Sequence, residues 1–79
     1  MRWALHFDRD AVQAMYTIPK EIWIQAKKII WALEENPLPP NMQVSADDPS
    51  KYWIPLPGDH IVWYEIVDEK HVVRILNIK

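Results

Sequence analysis

Six side chains in this sequence could transfer a proton or hold a phosphate group: His6, His60, His71, Lys51, Lys79 and Arg74. A histidine can act as a general base near neutral pH, and an arginine can bind a phosphate through two parallel N–H groups. We take Arg74 and His60 as the first candidates for catalytic residues, and we expect His71 to be solvated beside a turn. The roles of all six depend on the strand faces that they occupy.

Other kinds of reactive site find no support in the residue types. The sequence has no cysteine, which excludes disulfides, thiolate metal sites and a cysteine nucleophile. The histidines lack the short spacing of metal ligands, and Asp47 and Asp48 lie in a proline-rich stretch without a calcium-loop pattern. Gly58 is the only glycine, so a glycine-rich phosphate loop is excluded as well. We therefore predict neither a metal nor a cofactor.

Length and composition indicate one small cytoplasmic domain. The chain has 79 residues, 49% of them hydrophobic, which is enough for one core, so we treat residues 1–79 as a single domain. Nine Lys and Arg residues against eleven Asp and Glu residues give an acidic balance, whereas nucleic-acid-binding domains are usually basic. No apolar run reaches the roughly 18 residues of a membrane span, and a signal-peptide pattern is missing, so we expect no membrane contact.

A strand and a short helix open the chain. Alternation places Trp3, Leu5 and Phe7 on one side of a strand over residues 2–7. Asp8 follows as a suitable N-cap, since its side chain can accept a hydrogen bond from the first helical turn. The apolar residues after it recur at helical spacing: Ala11, Val12, Met15 and Tyr16.

A second, longer helix begins at Pro19, whose missing N–H is not needed in a first turn, and ends near Asn36, before Pro37. Ile24 and Trp31 lie on the side opposite its core face, where a monomer would place polar groups. They are either isolated exposed residues or a partner-binding ridge, and both interpretations stay open. The core-facing stripe consists of Ile22, Trp23, Ala26, Ile29, Ile30 and Leu33.

Three more strands follow an irregular, proline-rich connection over residues 37–50. They cover Lys51–Leu56, His60–Val67 and residues 71–78, with a turn at LPGD and a second at the acidic pair before Lys70. The predicted fold is α+β with the order β-α-α-β-β-β. In this fold, two N-terminal helices pack on one face of an antiparallel sheet.

A turn flanked by Val67 and Lys70 would fix the pairing of the last two strands. Arg74 then lies beside Trp63, where a cation–π pair is the alternative to a phosphate contact. His60 falls on the helix-facing side, where a hydrogen-bonded structural role is the alternative to catalysis. The predicted pairs are Tyr64 with Val73, Val62 with Ile75, Trp63 with Arg74, and Ile61 with Leu76. The sequence predicts no element to cover the other face, which carries Ile61, Trp63, Glu65, Arg74 and Leu76.

Several stretches together resemble the RelE/ParE superfamily of bacterial toxins. They are WALHFDRDAVQAM, IPKEIW, ALEENPLP and KYWIPLPGDHIVWYEIVDEKHVVRIL, and they cover nearly the whole chain. The resemblance implies the toxin of a toxin–antitoxin pair. RelE-like members cleave messenger RNA on the ribosome, and ParE-like members poison gyrase.

The resemblance also implies basic residues for RNA cleavage, and this sequence has other residues at the matching positions. On the second predicted strand, Lys51–Leu56, the residues Trp53 and Pro55 stand where lysines would be expected. On the third, His60–Val67, Ile61 stands where an arginine would be expected. The family's last arginine and tyrosine follow the position of Lys79, where this sequence ends. Tyr64 does match, but it is predicted to face the core, so it supports the fold and not the chemistry.

Three functions remain open. The first is a ribosome-dependent ribonuclease in which Arg74 and His60 do the chemistry. The second is a non-catalytic binding module of the same fold, either a toxin remnant or a ParE-like inhibitor. Its partner would be a cognate antitoxin on the sheet face around Trp53, Ile61, Trp63 and Leu76. The third is a homo-oligomer formed through that face or through Ile24 and Trp31.

Overall fold

The computed structural model describes residues 2–79 and confirms the predicted order of elements. A strand is followed by two helices and three longer strands, and one short strand is added in the connection. The elements are β1 (Ala4–Phe7), α1 (Arg9–Thr17), α2 (Lys20–Ala32), β2 (Gln43–Val44), β3 (Lys51–Leu56), β4 (His60–Val67) and β5 (Val72–Ile78). Short 3-10 turns at Pro57–Asp59 and Asp68–Lys70 join the last three strands.

The strands form one sheet in the order β1-β5-β4-β3-β2. The predicted α+β class with two helices on a sheet is confirmed, but the sheet differs from the expected antiparallel one in two respects. The short strand β2 adds a fifth strand at one edge. β1 runs parallel to β5, while all other neighbours are antiparallel. Parallel neighbours need a long crossover, and the helices with the rest of the chain supply it.

The helices begin where the sequence predicts, but α2 changes character early. Asp8 and Pro19 are the extended residues before α1 and α2, but within residues 2–79 the side chain of Asp8 accepts no capping hydrogen bond, because its carboxylate is bound to Arg74. The α-helical part of α2 ends at Ala32 and not near Asn36, because its last turn tightens. The N–H of Leu33 donates to the carbonyl of Ile30 at 3.1 Å, which is a 3-10 type bond.

The core lies between the helices and one face of the sheet. The predicted stripe of α2 is confirmed, since Ala26, Ile30 and Leu33 are buried. α1 packs through small residues, whereas Val12 and Tyr16 are exposed, so the spacing that predicts this helix does not identify its buried face. The sheet side of the core is formed by Ile54, Val62, Tyr64, Val73, Ile75 and Ile78.

Tyr64 anchors the long connection to the core. Its ring is fully buried, and its hydroxyl donates to the carbonyl of Pro37 at 2.7 Å. Burial, with a smaller contribution from Tyr52, raises the pKa of Tyr64 well above its usual range. The neutral hydroxyl therefore stays a donor across the ordinary pH range.

We expect Tyr64→Phe to lower the free energy of unfolding by about 1 kcal/mol, because it removes this hydrogen bond and leaves a carbonyl without its donor. Urea denaturation followed by tryptophan fluorescence measures the change. Tyr52→Phe is the matched control, since the Tyr52 hydroxyl makes no hydrogen bond within residues 2–79, and it should change stability by less than about 0.5 kcal/mol. Equal effects of the two substitutions would contradict the anchor.

Candidate functional site on the open sheet face

The turn between β4 and β5 is longer than predicted. After the 3-10 turn at Asp68–Lys70, His71 adopts a left-handed backbone with φ of 56°. Val67 therefore pairs with Val72, and the two strands meet two residues later along β5 than expected. The prediction that His71 is solvated is wrong, because its ring stacks on Trp3 at 4.0 Å and its Nε2 is buried.

This register gives Arg74 a different neighbour. It lies opposite Glu65, so the predicted pair with Trp63 is wrong. Its Nε and Nη2 donate to the two carboxylate oxygens of Asp8 at 3.2 and 2.6 Å, and its Nη1 donates to the carboxylate of Glu65. The hydrogen bond to Asp8 is the largest cause of the raised pKa of Arg74. We call Asp8, Glu65 and Arg74 the arginine clamp.

A β-bulge at Leu76 changes the pairing once more. Trp63 lies opposite Asn77, and Leu76 is the extra residue on β5. Leu76 therefore does not lie opposite Ile61, and the predicted pair of these two residues is wrong. Ile61 instead exchanges two backbone hydrogen bonds with Lys79, at 3.0 and 2.8 Å. Because of the bulge, Leu76 and Asn77 are both partly exposed between two buried isoleucines.

The sheet face away from the helices, here called the open face, has an aromatic centre. Trp53 and Trp63 lie opposite each other with ring centroids 6.4 Å apart. Together with Ile61 and Leu76 they are half-buried, so each retains surface that a partner could contact. The four residues predicted as a contact surface therefore lie on neighbouring strands of one face.

This face is less bare than the sequence predicts. A groove of about 430 Å³ crosses it, and residues from the connection before β3 contribute to its wall. Its floor contains Trp63, Leu76 and Asn77. Lys79 also borders the groove, and its sides carry Asp8 and Asp10 towards β1, and Ser45, Asp47 and Lys51 towards β3.

No family model matches this chain, and no curated protein does either. Solved structures do match. The intact Escherichia coli RelBE toxin–antitoxin complex contains a chain 25% identical, with a TM-score of 0.83, covering 96% of this chain and 93% of that one. An E. coli RelE mutant bound to a RelB antitoxin peptide is 26% identical, with a TM-score of 0.83, covering 99% and 82%. The Mycobacterium tuberculosis RelBE2 complex is 18% identical, with a TM-score of 0.83, covering 100% and 98%.

This chain has the RelE/ParE-like toxin fold. The resemblance seen in the sequence is confirmed at the level of the fold. The similarity to the E. coli RelE chains in complexes with antitoxin supports a role in the toxin family.

In this RelE-like fold, the positions at which the resemblance implies basic residues lie together on the open face. Trp53 and Pro55 are two positions apart on β3 and therefore share one face, and Ile61 lies directly opposite Pro55. Lys79 pairs with Ile61 through its backbone and makes no ion pair within residues 2–79. Two other cations of the sheet have carboxylate partners. Lys51 lies 3.8 Å from the carboxylate of Asp48, and Arg74 is held in the clamp.

The two candidate catalytic residues do not share a site. His60 lies on the same side of β4 as buried Val62, and its Nδ1 is 3.0 Å from the carbonyl oxygen of Lys79. Arg74 is on the other face, opposite Glu65. Five residues of strand separate His60 from that row, which is about 17 Å. One phosphate group cannot contact both side chains.

The back of α2 carries the second predicted contact surface. Ile24 and Trp31 are 39% and 46% exposed, which confirms that they lie outside the core. Lys27 and Lys28 line a shallow hollow beside Trp31, whose ring is 6.0 Å from that of Phe7. The ridge therefore continues to the edge strand β1.

The described residues also bear on metal binding and on membrane spanning. Within residues 2–79, no three His, Asp or Glu side chains are grouped so that they could hold a metal ion. Neither α1 nor α2 is long and apolar enough to cross a membrane.

Arg74→Met should lower the free energy of unfolding by about 1 to 2 kcal/mol, because it leaves two partly buried carboxylates facing each other without their shared cation. The matched control is Arg2→Met. Its ion pair with Glu35 at 3.0 Å is largely exposed, so its loss should cost less than about 0.5 kcal/mol. Urea denaturation of both variants measures the difference. A value for Arg74→Met no larger than that of the control would show that the clamp does not stabilise the fold.

Proposed function

We propose that this protein is the toxin-family component of a toxin–antitoxin system, and that it acts by binding a protein partner and not by cleaving messenger RNA. The observation that carries the proposal is the open face of its RelE-like fold. That face presents Trp53, Ile61 and Trp63 at its centre, and its arginine is held between two carboxylates.

The chemistry of RNA cleavage argues against a reaction on this face. Attack of a ribose hydroxyl on its phosphate needs a proton acceptor and cations that stabilise the developing charge. The groove above Trp63 carries three aspartates and two lysines, so carboxylates offset the attraction of its cations for a phosphate backbone. The overall excess of acidic residues acts in the same direction.

An antitoxin is the partner that the comparisons favour. The E. coli chains of the same fold occur in a complex with RelB and with a RelB peptide. We propose that the corresponding partner of this chain covers the open face at Trp53, Ile61, Trp63 and Leu76. Tryptophan is one of the residue types enriched at the energetic centre of protein interfaces. A wrapping partner could also reach the ridge of Ile24 and Trp31.

The test is binding to the protein encoded by the neighbouring gene. We expect a stable complex by light scattering and calorimetry, and Trp63→Asp should weaken it at least about thirtyfold, the effect of losing a central interface tryptophan. Trp31→Glu reports on the ridge, and Tyr16→Asp is the control, since Tyr16 is 85% exposed and outside both surfaces. Circular dichroism confirms that each variant is folded.

Two results would contradict the proposed function. One is the absence of any complex with the neighbouring gene product. The other is a complex that tolerates both Trp63→Asp and Trp31→Glu. If the chain forms a dimer alone and Trp63→Asp makes it monomeric, the open face serves a second copy and not an antitoxin.

A further inference from the structure

The open face also carries a hollow that is separate from the groove and lies on the other side of the arginine clamp. Its volume is about 460 Å³, and it is lined by His6 of β1, Val67 of β4, Lys70 of the turn, and Val72 and Arg74 of β5. The register explains this grouping, because His6 lies beside Arg74, and Val67 pairs with Val72.

The lining of this hollow is basic and apolar. Three of its five residues are His6, Lys70 and Arg74, and none is acidic. Lys70 makes no ion pair within residues 2–79. The groove beyond the clamp has a mixed lining, with three aspartates and two lysines. The hollow differs from the groove in having no carboxylate in its own lining.

The clamp leaves part of Arg74 available. A guanidinium has five N–H groups, and three of them donate to Asp8 and Glu65, so two remain. Its carboxylate partners also hold the group in one orientation, which reduces the entropy lost when a ligand binds. The same carboxylates weaken the attraction for an anion, so a single charged group should bind only weakly.

We propose that this hollow binds a small molecule with an oxyanion group and a compact apolar body. Arg74 and Lys70 would contact the oxyanion, as both side chains do with phosphates and carboxylates elsewhere. His6 also borders the hollow, with its Nε2 3.7 Å from the Asp8 carboxylate, and its exposed ring would add a third polar contact. Val67 and Val72 would pack against the apolar body, and the volume lies within the range of small-molecule sites. This site does not depend on the antitoxin interaction proposed above.

An NMR titration of the full chain with phenyl phosphate tests the site. We expect saturable shifts of the Val67 and Val72 methyl signals, with a dissociation constant on the order of 1 mM. Inorganic phosphate, which lacks the apolar body, should bind at least about fivefold more weakly. Benzylamine, which has the body but the opposite charge, should produce no saturable shift.

Lys70→Gln should weaken phenyl phosphate binding about threefold, the effect of losing one exposed charge contact. The matched control is Lys20→Gln, since Lys20 is an exposed lysine at the start of α2, outside the hollow. The site is refuted if the valine signals do not saturate, if benzylamine binds as well as phenyl phosphate, or if the two variants bind alike. None of these results bears on antitoxin binding, so the two proposals fail separately.

Discussion

The position of β5 between β1 and β4 is the constraint on which the rest of this structure depends. β5 is hydrogen-bonded to β1 on one side and to β4 on the other. Where β1 passes into α1, the backbone N–H of Asp8 donates to the carbonyl of Ile75 at 2.9 Å. The side chain of Arg74 links the same elements, since it donates hydrogen bonds to Asp8 after β1 and to Glu65 on β4. A single residue on β5 therefore holds three parts of the chain together.

Much of the fold could be predicted because its signals are local. Helical spacing identified α2 and its buried residues, and the alternation of apolar residues identified the long strands. The parallel pairing of β1 with β5 has no local signal. The register of β5 also depends on the left-handed backbone of His71 and on the bulge at Leu76, and neither follows from residue type.

The site was predictable in composition but not in its contacts. The sequence placed Trp53, Ile61 and Trp63 on one face, and the structure agrees. It could not show that Arg74 is bound to Asp8, because the two residues lie 66 positions apart and meet only through the parallel strand pair. The charge that looked available for a phosphate is thus mostly used within the fold. The same contacts separate a groove of mixed charge from a hollow lined by basic and apolar side chains.

The most direct test of whether this protein acts without cleaving messenger RNA is a cell-free translation reaction with primer extension on the messenger. A RelE toxin serves as the positive control, and Ile61→Arg and Trp53→Lys show whether restored cations are sufficient for cleavage. We expect the wild-type chain to produce no new messenger ends while the control toxin does. New ends in the wild-type reaction, at codons that the ribosome occupies, would contradict the central claim and show that this face cleaves RNA without the expected cations.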